Sequence, residues 1–337
     1  MAASLRLAPA VLAAALAALA LLSASSVQAD DGEAHAWLER MHRAVEELNY
    51  EGVFVHMHGG RAETHYVVHR YMDGRVSERI VSLDGAGREI VRHEDEVTCI
   101  LPDQRTVLVE GRRELSPLVS ALPSSAAALG VHYELLLHGQ TRIAERPTEV
   151  LTIQPLDGYR YGYKLWLDRQ TAMPLKTQMR DETGEVVEQI LFTNISMPDY
   201  IPASALAPVT STEGFTWLRR ATGEDRGEQR VEWRAAAVPA GFRLTAASVS
   251  MMADSAYPVQ HLVYSDGLAS VSVFIEDPQA EGDWTLGLAR VGGANAYSLR
   301  HAGRVVTAIG EVPARTVEAI ARSLEAGDPH EAPDDGR

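Results

Sequence analysis

Two pairs of histidines lie close together near the start of the sequence, and imidazole nitrogens are common metal ligands and proton carriers. His56 and His58 alternate along one segment, and His65 and His69 follow in the next, after Gly59–Gly60. Alternate residues of a strand project to one face, and the two strands of a hairpin lie side by side. Three or four imidazoles could therefore converge, as a metal site or as the centre of a metal hydrolase.

The residues around these histidines do not complete a recognised ligand pattern. No nearby Asp, Glu or Cys completes such a pattern, and histidines on the solvent face of a strand are common. The segment His93–Glu96 lacks the second histidine of a His-Glu-x-x-His zinc motif and fits a solvated turn. We therefore predict no bound metal and no cofactor, and the metal hydrolase remains an alternative that bound metal would identify.

Recognised catalytic motifs are absent from the rest of the sequence. It has no Gly-x-Ser-x-Gly elbow, no phosphate-binding Gly-x-x-x-x-Gly-Lys loop, no dinucleotide fingerprint and no paired-cysteine zinc motif. We therefore assign no catalytic residues and interpret the chain as a binding protein, not an enzyme.

The elements that position the histidines are predicted from the period of the apolar residues. Trp37, Met41 and Leu48 recur at helical spacing, with Asp31 as a candidate N-cap. From Val53 onward the period changes to two, and Gly59–Gly60 supplies the turn of a hairpin. Short strands continue from there, interrupted by a helical patch over residues 124–137. This pattern is typical of a large curved antiparallel sheet.

A change in composition after Met197 divides the chain. The sequence becomes rich in Pro, Ala, Ser and Thr and then charged, which indicates an exposed connection. Further strand pairs follow, and a final helix begins near Pro313. We predict a signal peptide, an N-terminal domain, a linker, a smaller α+β C-terminal domain and a disordered tail at residues 1–29, 30–200, 201–228, 229–326 and 327–337.

The N-terminus indicates export. Arg6 gives a basic start, an Ala- and Leu-rich run follows, and Val27–Ala29 fits a small-residue cleavage site. The single cysteine of the chain, Cys99, lies far from this site, so we predict a periplasmic protein that is not a lipoprotein. The net charge of −15 makes nucleic acid a poor partner, because that interaction requires clustered Lys and Arg.

Apolar residues on the predicted hairpin are candidates for a ligand-binding surface. Val53, Val55 and Met57 share one face of their strand, and that face could line either a filled core or an open cavity. We take these three residues as candidate lipid contacts. The expectation is that aspartate at two of them abolishes a response to lipid without unfolding the domain.

Several segments together resemble the MucB/RseB family of periplasmic regulators of the envelope-stress sigma factor. In the first domain these are Asn49–Val55, Val67–Arg70, Val81–Gly85 and Arg88–Arg92. The segment Tyr163–Lys176 resembles a strand pair that this family shares with the lipoprotein carriers LolA and LolB. In the second domain the matching segments are Pro239–Phe242, His261–Gly267 and Ser270–Phe274.

This resemblance implies a fold and a function. The fold is α+β and mostly antiparallel β, with a LolA/LolB-like half-open β-barrel, covering helices and a smaller C-terminal α+β domain. The implied partner is the periplasmic segment of a membrane-spanning anti-sigma factor of the RseA/MucA type, which the regulator shields from site-one proteolysis. Lipid or lipopolysaccharide would weaken that hold.

The resemblance and the residues leave some questions open. A periplasmic lipid or lipoprotein carrier of the LolA type is the alternative, although the second domain favours the regulator. No residue motif for partner binding can be transferred. The oligomeric state is also open, with a homo-oligomer among the options.

Overall fold

The computed structural model describes residues 28–93, 96–111, 126–220, 232–251, 257–278 and 285–326. Nearly all of the predicted signal peptide, the charged end of the predicted linker and the predicted tail lie outside these ranges. Among the described helices, none is long and apolar enough to cross a membrane.

A 12-stranded sheet forms the larger part of the molecule. Its strands are β1 (Tyr50–His58), β2 (Arg61–Met72), β3 (Arg75–Ser82), β4 (Glu89–His93), β5 (Glu96–Leu101), β6 (Thr106–Gly111), β7 (Tyr133–Ile143), β8 (Arg146–Pro155), β9 (Gly162–Asp168), β10 (Pro174–Arg180), β11 (Val186–Ser196) and β12 (Thr216–Arg220). Their order is β12-β6-β5-β4-β3-β2-β1-β11-β10-β9-β8-β7, so two meanders meet where β1 pairs with β11. In the described part of the chain the end strands β12 and β7 are not paired with each other, so the barrel is half-open, which confirms the predicted fold.

The first hairpin follows from its turn residues. Gly59 and Gly60 have φ values of 56° and 78°, a backbone conformation that favours glycine. The turn sets the register of β1 and β2, with His58 opposite Arg61. The histidines of both strands therefore share one face of the sheet, as their alternation predicts.

The predicted N-terminal helix is confirmed as α1 (Gln28–Glu47), which is already helical before the candidate cap at Asp31. Its apolar stripe packs onto the sheet, where Leu38 and Met41 are fully buried. The predicted helical patch at 124–137 is wrong over its last five residues, 133–137, and residues 124–125 lie outside the described ranges. A 3₁₀ helix, Ala126–His132, gives way to β7, because Tyr133 and Leu135 alternate with exposed Glu134 in the period of a strand.

A six-stranded antiparallel sheet forms the second part, in the order β14-β15-β16-β19-β18-β17. These strands are β14 (Arg243–Met251), β15 (Pro258–Ser265), β16 (Ser270–Glu276), β17 (Gly287–Val291), β18 (Ala294–His301) and β19 (Arg304–Gly310). The helix predicted after Pro313 is α2 (Ala314–Arg322), and Val317 and Ile320 on its apolar face are fully buried against the sheet. A short pair, β13 (Trp233–Ala235) and β20 (Leu324–Ala326), completes this part.

The segment predicted as an exposed linker packs in part against the first sheet. Ile201 and Leu206 are buried in a cluster with Val68 of β2, and Leu206 is the last residue of a short 3₁₀ helix, Ala203–Leu206. Farther along, β12 pairs in parallel with β6. The Pro- and Ser-rich composition indicates irregular backbone, but it conceals these apolar contacts.

Candidate functional site

A cavity of about 720 Å³ opens on one face of β1–β4, a size typical of small-molecule sites. Phe54, Ile80 and Ile90 supply its apolar surface, while His65 and Arg88 are among its polar residues. Because these side chains combine an apolar wall with ionisable groups, the cavity suits a ligand that has both an apolar chain and a charged group.

The candidate lipid contacts lie on the other face of β1. Phe54 and His56 line the cavity, whereas Val53, Val55 and Met57 occupy the alternate positions and do not line it. Met57 is 44% exposed, while Val53 and Val55 are half-buried. A role for these three residues in lipid binding stays a prediction.

The structure brings His56 and His58 together with Glu188, a residue of β11 that the sequence does not mark. Glu188 stands opposite His58 in the strand register, and its Oε1 lies 2.6 Å from Nε2 of His56. One ligand atom from each of these three residues lies within 4.8 Å of the others. This hydrogen bond to Glu188 raises the pKa of His56, against the opposing effect of burial.

A residue of the second part of the chain completes this cluster. Oε1 of Glu311, just after β19, lies 3.4 Å from Nδ1 of His58, and the backbone N–H of Gly293 donates to Nε2 of the same ring at 3.2 Å. Burial and the nearby carboxylate of Glu188 raise the pKa of Glu311 to about 7. The four side chains thus join the two sheets, and we call them the His56–Glu311 cluster.

The other two histidines do not belong to this cluster. His65 stacks on Phe54, with ring centroids 5.1 Å apart. His69 is 2% exposed, stacks on Tyr50, and its Nδ1 lies 2.9 Å from the carbonyl oxygen of Leu48. The predicted convergence of histidines is therefore limited to His56 and His58, while His69 has a structural role in the core.

Burial of His69 predicts a loss of stability in acid. Desolvation lowers its pKa from 6.5 to about 4, although the hydrogen bond to Leu48 opposes that shift. As pH falls below 6.5, the unfolded chain binds this proton and the native chain does not, so stability decreases down to about pH 4. The full effect is about 3 kcal/mol.

We expect His69→Gln to flatten the decrease in unfolding free energy between pH 6.5 and pH 4, measured by denaturant titration across that range. His138→Gln, at an exposed histidine on β7, is the control and should follow the wild-type curve. A wild-type pH dependence in His69→Gln would refute the assignment.

A second contact between the two sheets is a buried ion pair. Arg160 and Asp266 have side chains that are 0% and 1% exposed, and Nε of the arginine donates to Oδ2 of the carboxylate at 2.5 Å. Tyr133 donates its hydroxyl to the same oxygen at 2.9 Å, and Arg160 also bonds Asp157 and the carbonyl of Ala240. We call this set the Arg160–Asp266 junction.

Comparison with known proteins gives matches to both parts of the chain. Residues 33–210 match the MucB/RseB N-terminal domain, and residues 227–325 match the MucB/RseB C-terminal domain. The sigma factor AlgU regulatory protein MucB of Pseudomonas aeruginosa is 34% identical over 316 residues, 90% of this chain and 94% of that protein. The sigma-E factor regulatory protein RseB of Salmonella typhimurium is 29% identical over 319 residues, 92% and 96% of the two chains.

Solved structures give the same result. The complex of Pseudomonas aeruginosa MucA and MucB matches with a TM-score of 0.70 at 30% identity, over 88% of this chain and 99% of that chain. A crystal structure of MucB in complex with MucA(peri) matches with a TM-score of 0.67 at 31% identity, again over 88% of this chain and 99% of that chain. These matches define a class of two-domain proteins in which an open antiparallel sheet is joined to a smaller α+β domain. The chain belongs to the MucB/RseB family, which confirms the sequence resemblance.

Proposed function

We propose that this chain is an exported, periplasmic regulator that binds the periplasmic segment of an anti-sigma factor and thereby restrains an envelope-stress sigma factor. The observation that carries the proposal is similarity along both domains to regulators of sigma factors, at 34% identity for one of them. The complex of that relative with MucA supports an anti-sigma factor as the partner. The named relatives are regulatory proteins, which supports a binding role and not a catalytic one.

The proposed mechanism is steric protection. While the anti-sigma segment is bound, its backbone cannot enter the active site of a protease. The first cleavage therefore occurs only after the segment dissociates. A lipid or lipopolysaccharide fragment would favour release only if it binds the free regulator more tightly than the complex, and the shift cannot exceed that difference.

The cavity on β1–β4 supports the lipid part of the proposal. Its wall offers Phe54, Ile80 and Ile90 to an acyl chain. Its charged lining comprises Glu63, Asp84 and Arg88, of which Arg88 is the cation that a phosphate group would pair with. This cavity lies on the opposite face of β1 from Val53, Val55 and Met57, the lipid contacts predicted from the sequence. The two faces of β1 are therefore competing candidates for the lipid site.

Binding of the anti-sigma segment, with and without lipopolysaccharide, tests the function. We expect the purified chain to bind the periplasmic segment of the anti-sigma factor from the same organism in calorimetry, and lipopolysaccharide to weaken that binding. No binding in either condition would overturn the regulator proposal and favour the carrier.

Two matched variants assign the lipid site. Ser82→Phe projects a ring from a half-buried position into the cavity. We expect this variant to bind the anti-sigma segment like the wild type, while lipopolysaccharide weakens that binding about tenfold less or not at all. Val55→Asp, on the other face, should respond like the wild type. The opposite result would favour the sequence-based assignment.

A further inference from the structure

Two imidazoles and two carboxylates meet in the His56–Glu311 cluster, and this is an unusual set to bring together at a domain contact. His56, His58 and Glu188 come from two neighbouring strands, whose backbone hydrogen bonds fix their spacing. Glu311 comes from the other domain. Zinc is commonly bound by three or four ligands of these two types.

One atom of the cluster lacks a hydrogen bond. Nδ1 of His58 is buried and has no hydrogen-bond partner in the described part of the chain, although Oε1 of Glu311 lies 3.4 Å away. Buried polar atoms normally have a partner, so an orphaned imidazole nitrogen directed at a carboxylate calls for an explanation. A cation between these two atoms would satisfy both.

The second domain approaches the cluster as closely as a glycine permits. A Cβ added to Gly293 would lie 2.7 Å from Cε1 of His58 and 3.2 Å from Oε1 of Glu311. A side chain at this position would force the His58 ring or the Glu311 carboxylate to shift. Glycine therefore lets the turn between β17 and β18 lie directly against a cluster that spans both domains.

We propose that His56, His58 and Glu188, joined by Glu311 from the second domain, form a zinc-binding site that clamps the two domains together. Imidazole nitrogens favour zinc over calcium or magnesium, which prefer oxygen ligands. In a tetrahedral site with bonds of about 2.0 Å, the ligand atoms lie about 3.3 Å apart. The ligand atoms of His56, His58 and Glu188 now lie within 4.8 Å of one another, so they would close by up to about 1.5 Å on binding the ion.

Zinc at Nδ1 of His58 has a specific consequence for its ring. Nε2 now accepts a hydrogen bond from the backbone N–H of Gly293. When Nδ1 binds the metal, the neutral ring carries its proton on Nε2, which then cannot accept this bond. The Gly293 amide must turn away, so its NMR signal reports on zinc coordination.

The test is a zinc titration of the full exported chain after treatment with a chelator, with a competing metal indicator as the readout. We expect one zinc ion per chain in the wild type. The affinity should fall by about 100-fold in the His56→Gln/His58→Gln double variant and by about tenfold in Glu311→Gln. His65→Gln is the matched control, since His65 lines the neighbouring cavity outside the cluster, and it should bind zinc like the wild type.

These measurements test the zinc site and the contact between the two domains separately. Absence of stoichiometric zinc in the folded wild type, or equal affinity in the double variant, would overturn the site. Wild-type affinity in Glu311→Gln would overturn the clamp, because the ion would then be held by one domain alone. As a check that does not depend on a variant, zinc should shift the ring ¹⁵N signals of His56 and His58 and the amide signal of Gly293. Shifts confined to other histidines would contradict the assignment.

Discussion

Arg160→Met is expected to lower the free energy of unfolding by about 3–5 kcal/mol, because it leaves the carboxylate of Asp266 buried without its cation. Methionine retains most of the apolar stem and removes the guanidinium, whose Cζ lies 5.1 Å from the centroid of the Phe242 ring. Since the pair joins the two domains, we also expect the single unfolding transition to separate into two. Denaturant titration followed by circular dichroism and tryptophan fluorescence measures both effects.

The control for this variant is Arg169→Met. The side chain of Arg169 is 47% exposed, and its Nε lies 3.8 Å from Oε2 of Glu149, which is 12% exposed. A pair this long and partly open to solvent contributes at most about 1 kcal/mol. A loss below about 1 kcal/mol in Arg160→Met as well would mean that the junction does not hold the domains together.

Glu89→Ala is expected to destabilise the chain by about 3–5 kcal/mol and to release the connecting segment. Glu89 is fully buried, accepts a hydrogen bond of 2.6 Å from Nε of Arg79, and accepts further bonds from the backbone N–H groups of Val209 and Thr210. Burial alone would raise the pKa of Glu89, but these donors outweigh it and the pKa is lowered. Without the carboxylate, Nε of Arg79 and two backbone donors lose their acceptor, and among the described residues the guanidinium keeps only its bond to the carbonyl of Ala205.

Limited proteolysis distinguishes this local release from global unfolding. We expect cleavage close to Val209 in Glu89→Ala under native conditions, in addition to the lower stability. Glu96→Ala is the control, since Glu96 forms an exposed 3.0 Å pair with Arg219 of β12, and its cleavage pattern should match the wild type. Unchanged cleavage in Glu89→Ala would show that the segment is held by its apolar contacts instead.

Individual strands, turns and helices could be predicted from the sequence where neighbouring residues determine them. The Gly59–Gly60 turn, the alternation along β1 and the final helix after Pro313 each depend on neighbouring residues. Residues 133–137 of the predicted helical patch are a strand, because Leu135–Leu137 suit a helix locally while pairing with β8 selects a strand.

The candidate site could be predicted only in part. The alternation of apolar residues shows that Val53, Val55 and Met57 share a face of β1. It does not tell which face of the sheet forms a cavity, and the cavity lies on the face of Phe54. Glu188 and Glu311 are far from His56 in sequence and reach it through the strand register and the domain contact. Arg160 and Asp266 are also far apart in sequence, so no sequence motif marks their ion pair.

The pairing of β1 with β11 also sets how the chain must fold. His56 and Glu188 meet across this pair although they are 132 positions apart, so forming the middle of the sheet requires a costly loop closure. Folding with so many non-local contacts is slow, and until β11 has been synthesised β1 presents an open edge that can pair with other chains. A chain truncated before β11 is therefore expected to aggregate, because the edge of β1 then has no partner.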